Sequence, residues 1–150
     1  MKLSTRSRYG LKAVVDLAVC YGDGPVPLPQ LAAQQGVSEA YLELLLRSLR
    51  KSGVVETARG AQGGYALSRA PEEISVQEVL GVLEGTTALV DCVDTGMRGC
   101  ENACACAARP LFLKLQSRIN EVLKDTSIRD LAEDNLQQKR RLTNATGISG

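Results

Sequence analysis

With 150 residues the chain has room for one domain and an extension, and 44% apolar content with 3% aromatics and no Trp leaves the packing to Leu, Val and Ala in helices. The net charge of +1 conceals a split: residues 1–69 carry nine basic and five acidic side chains and residues 70–110 carry two and seven, so the N-terminal half has the sign that attracts phosphate. No run approaches the roughly 20 apolar residues of a membrane span and no signal-peptide core opens the chain, which points to a cytoplasmic protein without a membrane partner.

Leu11, Val14, Val15 and Ala18 recur at i, i+3, i+4 and i+7, which predicts a helix over about 7–20, ended by Gly22-Asp23-Gly24-Pro25. Cys20, at the end of this apolar helix, reads as a core residue. A short helix over 30–35, a tight turn at Gly36-Val37 and a second helix capped by Ser38 follow. Leu42, Leu45, Leu46 and Leu49 form the buried stripe of that second helix, and Gly53 stands at its C′ position. Residues 54–57 and 65–67 read as short strands joined by 58–64, whose glycines permit a sharp, exposed hairpin. Ser75-Val76-Gln77-Glu78 has the form of a capping box opening a helix to about Glu84.

Residues 91–106 are rich in Gly, Asp, Asn and Cys without helical or alternating periodicity, so they read as a loop organised by its cysteines. Apolar residues at 111, 112, 115, 119, 122 and 123 predict a helix from Ala107 or Pro110 to Lys124, roughly 22 Å long. A helix of that length beside so small a domain needs a partner. Ser127 caps one more short helix to about Asn135, and 136–150 read as a disordered tail. The expected fold is mainly α with a small β-wing. A winged helix-turn-helix occupies 1–85, a cysteine-rich sensor loop 86–106, and a long dimerisation helix with a short C-terminal helix 107–135.

A helix, a turn and a second helix form the arrangement whose second helix can lie in a DNA major groove. A glycine-rich hairpin carrying an Arg can reach the adjacent groove. The candidate contacts are Ser38, Glu39, Ala40, Tyr41 and Glu43 at the start of the second helix, and Arg47, Arg50 and Lys51 further along for phosphates. Arg59, Gly60, Gln62, Gly63 and Gly64 complete the set in the wing. Glu43 would accept from a cytosine amino group or repel other sequences.

Four of the five cysteines, Cys92, Cys100, Cys104 and Cys106, are separated by seven, three and one residues, unlike the C-x-x-C pairs of structural zinc. Clustered thiolates just before a helix favour an iron-sulfur cluster and suit a sensor, with zinc and metal-free redox thiols as alternatives. The chain has no His to act as a base and no glycine-rich phosphate loop after a strand, so an enzyme is not expected.

Several separated motifs together resemble one family. They are Met1-Lys2-Leu3-Ser4, Arg8-Tyr9-Gly10, the stretch from Leu31 to Leu49 with Tyr41-Leu42-Glu43, Arg59-Gly60 to Gly63-Gly64-Tyr65, Ser75 to Val79, and Ser127-Ile128-Arg129-Asp130-Leu131. In this order they are similar to the winged-helix regulators typified by IscR, NsrR and CymR. The resemblance implies a homodimer, mainly a repressor, bound to a pseudo-palindromic double-stranded DNA operator, with the long helix crossing to its partner. It implies recognition through Ser38, Tyr41, Glu43 and Arg59, and Leu44 stands where many members carry Gln. It also implies an iron-sulfur cluster, 2Fe-2S rather than 4Fe-4S, on Cys92, Cys100 and Cys106. Members complete the ligand set with a His three residues beyond the last Cys or an Asp from the partner's first helix; the matching positions here are Arg109 and Arg8. Cys104 is the substitute in sequence, with Glu101, Asp91, Asp94 or a small exogenous ligand also open. The alternative within the family is a CymR-like, cluster-free regulator of sulfur metabolism.

Overall fold

The structure, a computed structural model, describes residues 2–60, 63–94 and 105–147. The first helix, α1 (Thr5–Val19), starts where the Ser4 hydroxyl accepts the Ser7 N–H at 3.2 Å, and it buries Gly10, Ala13, Val14, Leu17 and Ala18. Gly10 lets a later helix, α4 (Val76–Glu84), approach closely: a Cβ there would sit 2.5 Å from Leu83 Cδ1. The Ser4 N–H donates to Glu84 Oε1 at 2.6 Å, joining the start of α1 to the end of α4. Hydrogen bonds from the Ser7 hydroxyl and from Ser4 hold the Glu84 carboxyl below its ordinary range.

The second helix, α2 (Leu28–Gln35), ends at Gly36, whose φ of 67° is left-handed. Val37 N–H donates to Ala32 O and Gly36 N–H to Ala33 O, the pair of bonds that closes a Schellman turn. The next helix, α3 (Glu39–Lys51), starts on the Ser38 cap and ends the same way at Gly53, with Val54 N–H on Leu49 O. Two short, well-stopped helices thus meet at a fixed angle, as the Gly36 and Gly53 positions predict.

Strands β1 (Val55–Ala58) and β2 (Gly64–Leu67) pair antiparallel with Val55 opposite Leu67 and Ala58 opposite Gly64, so the hairpin connection is shorter than 58–64. Val26 adds to the outer edge of β2 through two hydrogen bonds with Tyr65, at 2.8 and 2.9 Å. This contact gives Gly64 its role, because a Cβ there would lie 2.3 Å from Val26 O. Gly64→Ala is expected to destabilise the fold by about 2 kcal/mol through overpacking against backbone, read as a lower urea midpoint.

Helix α4 is capped as expected on its N-terminal side, with Ser75 Oγ accepting the Glu78 N–H at 3.1 Å. The predicted reciprocal bond is replaced: Glu78 turns its carboxylate to Arg69. The segment after α4 holds a single helical turn, α5 (Asp91–Asp94), where the sequence predicts only loop. Four residues are too few to show a periodicity.

The long helix, α6 (Arg109–Asp125), matches its prediction to within two residues, but its apolar positions divide between two faces. Phe112, Ile119 and Leu123 are half-buried beside the buried Gln116, on the side toward α4 and α5. Leu111, Leu115 and Val122 are 56%, 42% and 64% exposed, and their spacing of four and seven sets them on one outward stripe. Gln116 accepts the Leu89 N–H at 2.6 Å and donates to Thr87 O and Asn120 Oδ1, fastening residues 87–89 to the helix.

The last helix, α7 (Ile128–Ala145), opens with a complete capping box between Ser127 and Asp130 and packs on α1. It runs ten residues past the predicted end near Asn135, and the segment expected to be a disordered tail is helical to Ala145. Lys139-Arg140-Arg141 and the small polar residues after them suggest a tail, but Leu136, Gln137, Gln138, Lys139, Arg140 and Arg141 are all good helix formers on a capped helix already started. The core gathers Val14, Leu31, Leu42, Leu45, Leu46, Leu49, Val54, Ile74 and Ile128, and the partly buried Cys20 packs against it as predicted.

Candidate functional site

Helix α3 is two-sided. Leu42, Leu45, Leu46 and Leu49 are fully buried and lock its inner face, while Ala40, Leu44, Arg47 and Lys51 lie on the opposite, solvent-facing side at 100° per residue. Glu39 and Arg50 are exposed beside them. Ser38 spends its hydroxyl on the Tyr41 N–H at 3.2 Å, so its own reach outward is limited to what that bond leaves. Tyr41 is half-buried, its ring edge-on to Tyr9 with centroids 6.2 Å apart, and it anchors α3 to α1. Glu43 and Arg47 form an i, i+4 ion pair at 3.4 Å across the exposed face. Such a pair adds little stability but presets the direction of both side chains.

The wing packs beside α3 through β1. Burial first, then the Glu43 carboxylate, push the Tyr65 phenol above its ordinary pKa, while Arg50 and Arg47 oppose the shift, so Tyr65 of β2 sits among the α3 charges. In the sequence Tyr65 stands only as the end of the Gly63-Gly64-Tyr65 motif and not among the candidate contacts. Arg59 is exposed immediately after β1, Gly60 has a φ of 115°, and Gly63 N–H closes the turn on Gly60 O at 3.0 Å. Gly64 belongs to the sheet, against Val26. Gln62 lies outside the described residues. Arg47, Arg50 and Lys51 are thus exposed on the side of α3 that the core leaves open, and Arg59 is exposed just past the end of β1, the strand that packs on α3.

Of the cysteine segment, Cys92 on α5 and Cys106 just before α6 are half-buried free thiols; Cys100, Cys104 and Glu101 lie outside the described residues. Packing of α5 on α6 brings the helix of Cys92, with Asp91 and Asp94, against the helix that follows Cys106. Among the described residues no three metal-ligating side chains converge. Arg8 is exposed on α1. Arg109 opens α6, with its N–H on Cys106 O at 3.2 Å, and its Nε is buried without a hydrogen-bond partner. A buried guanidinium nitrogen lacking an acceptor suits an anion beside it. Cys92 and Cys106 are soft sulfur donors of the kind an iron-sulfur cluster takes, and among the described residues no third ligand joins them.

The family described as "Iron-dependent Transcriptional regulator" (Rrf2) matches residues 3–134. The HTH-type transcriptional regulator IscR of Aliivibrio salmonicida (strain LFI1238) is 37% identical over 139 residues, 93% of this chain and 82% of IscR. CymR of Bacillus subtilis (strain 168) is 37% identical over 132 residues, 88% of this chain and 90% of CymR. The structure of CymR (YrzC), described as the global cysteine regulator of B. subtilis, superposes with a TM-score of 0.76, covering 89% of this chain and 97% of that one. The mainly helical architecture with one two-stranded wing is the winged helix of these regulators. No described helix is long and apolar enough to cross a membrane. From Leu3 to Asp134 this chain therefore belongs to the Rrf2 family of transcriptional regulators.

Proposed function

We propose that the protein is a homodimeric repressor whose two α3 helices enter successive major grooves of a pseudo-palindromic operator, governed by the state of the thiols between Cys92 and Cys106. The observation that carries the DNA-binding part is the two-sided α3: four leucines with no exposed surface fix the helix, and its outward side holds Ala40, Arg47, Arg50 and Lys51 around the one exposed leucine, Leu44. Ala40 and Glu43 face base edges, Arg47, Arg50 and Lys51 meet phosphates, and Arg59 reaches the flanking minor groove.

Cys92, Cys100 and Cys106 would hold an iron-sulfur cluster, with Cys104 as the fourth thiolate, and such a cluster supplies a charge and a set of bonds that oxidants remove. The chain's own residues carry the consequence. Gln116 ties 87–89 to α6, α5 follows directly, and α6 presents the Leu111, Leu115 and Val122 stripe to a second copy. Reordering of the cysteine segment therefore acts on the helix that sets the distance between the two α3 helices.

A second reading is a cluster-free regulator of sulfur metabolism in which the same thiols are oxidised directly or a partner protein sets the state. The chain is as similar to CymR as to IscR, at 37% identity, and the lack of any His to complete a cluster's ligand set favours this reading. Both readings share the DNA face. Arg59→Ala is expected to weaken operator binding about ten-fold at fixed salt, measured by fluorescence anisotropy; unchanged affinity would remove the wing from the interface.

A further inference from the structure

Leu44 is 51% exposed in the middle of the α3 outward face, with Arg47 and Ser48 as neighbours on the helix surface and Lys51 a further turn along. Its helix otherwise keeps every leucine fully buried. Ala40 is exposed one turn earlier on the same side, so the two form an apolar strip inside a basic rim. Along the helix axis they are about 6 Å apart, close to two base-pair rises of about 3.4 Å. In the major groove the one apolar group offered by a base edge is the thymine C5-methyl.

We propose that Leu44, with Ala40, reads thymine methyl groups two base pairs apart in each half-site, which makes Leu44 a determinant of sequence specificity. This rests on the reading of α3 as the helix that enters the major groove. The Glu43–Arg47 ion pair flanks Leu44 and limits the freedom of both charged side chains, leaving the leucine as the group of fixed shape at the centre of the face. Its substitution does not touch the core, because the buried stripe lies on the opposite side of the helix.

The test uses the full chain and duplexes selected from a library with a randomised 24-base-pair centre, about the span of two half-sites one helical turn apart with their flanks. Each thymine of the selected sequence is then replaced in turn by deoxyuridine, which keeps base pairing and removes only the methyl group. Loss of one buried methyl is expected to weaken binding about four-fold at the thymines facing Leu44 and Ala40. Leu44→Ala should abolish that sensitivity at one position per half-site while leaving the salt dependence and the thermal unfolding midpoint unchanged. Leu44→Gln should move the selected base there from thymine toward adenine, which a Gln amide can bond in bidentate fashion. Selected sites that bind equally well with deoxyuridine throughout, or Leu44→Ala with wild-type sensitivity, would overturn the role of Leu44 and leave the DNA-binding reading intact. No enriched sequence at all would overturn both.

Discussion

Replacing Leu111 and Leu115 together with Glu should yield a folded monomer that binds its operator about a hundred-fold more weakly than the wild type. Both leucines lie on the outward stripe of α6, while the inward residues Phe112, Ile119 and Leu123 hold the helix to its own domain and remain untouched. In the proposed dimer a two-fold axis doubles every substitution, so four leucine contacts would be lost, each worth about 1.5 kcal/mol or more. The dimer constant should weaken at least about ten-thousand-fold. Affinity for the operator falls because each half-site must then be captured separately, without the effective concentration that a linked second domain provides. Sedimentation velocity reads the first effect and anisotropy the second. A variant that stays dimeric at micromolar concentration would place the interface elsewhere.

Cys92→Ser or Cys106→Ser should reduce bound iron and sulfide in anaerobically purified protein at least about ten-fold, the range that loss of metal-site support reaches, with loss of visible absorption. Thiolates are the soft donors such a cluster needs, and a serine hydroxyl at neutral pH is not one. Cys104→Ser separates the proposed fourth ligand from the triplet: partial loss of iron fits a fourth ligand, and full retention assigns that place to another group. The wild-type protein is the reference for the regulatory part, since cluster-bound and cluster-free forms should differ in operator affinity. A colourless, iron-free wild type from anaerobic preparation would favour the thiol-only regulator, and equal affinities of the two forms would remove the switch.

The helix-turn-helix was legible because its signals are local. Ser38, Gly36 and Gly53 each satisfy a backbone requirement within four residues of themselves, and the leucine stripe of α3 repeats at the helical period. Contacts distant in sequence were not legible. The Glu78 carboxylate fits a capping box by spacing, yet Arg69 offers a charged partner and takes it. Gly64 reads as a turn glycine, but what excludes a side chain there is the backbone of Val26, some forty residues earlier. Gln116 looks like an ordinary polar position on a surface helix and is in fact buried to bond residues 87–89.

On α6 the period was clear and its meaning was not: a single apolar pattern serves two faces, one toward the protein's own domain and one outward. The extension of α7 was missed for the opposite reason. Residues 136–145 lack an apolar stripe, and their helix rests on intrinsic propensity behind a strong cap. On the outward side of α3 the basic residues were legible from charge and position, and Leu44 stood out as the residue where related regulators carry Gln; its exposure among buried leucines is seen only in the structure.

The most direct test is a hydroxyl-radical footprint of the wild-type protein and of Arg59→Ala on a duplex selected by the wild type. Two protected half-sites on one face of the DNA, centred about 10 base pairs or a multiple of it apart, are expected, with the flanking minor-groove protection lost in Arg59→Ala. Protection without a preferred sequence, or a single site with no two-fold relation, would contradict a dimeric winged-helix reader of a pseudo-palindromic operator.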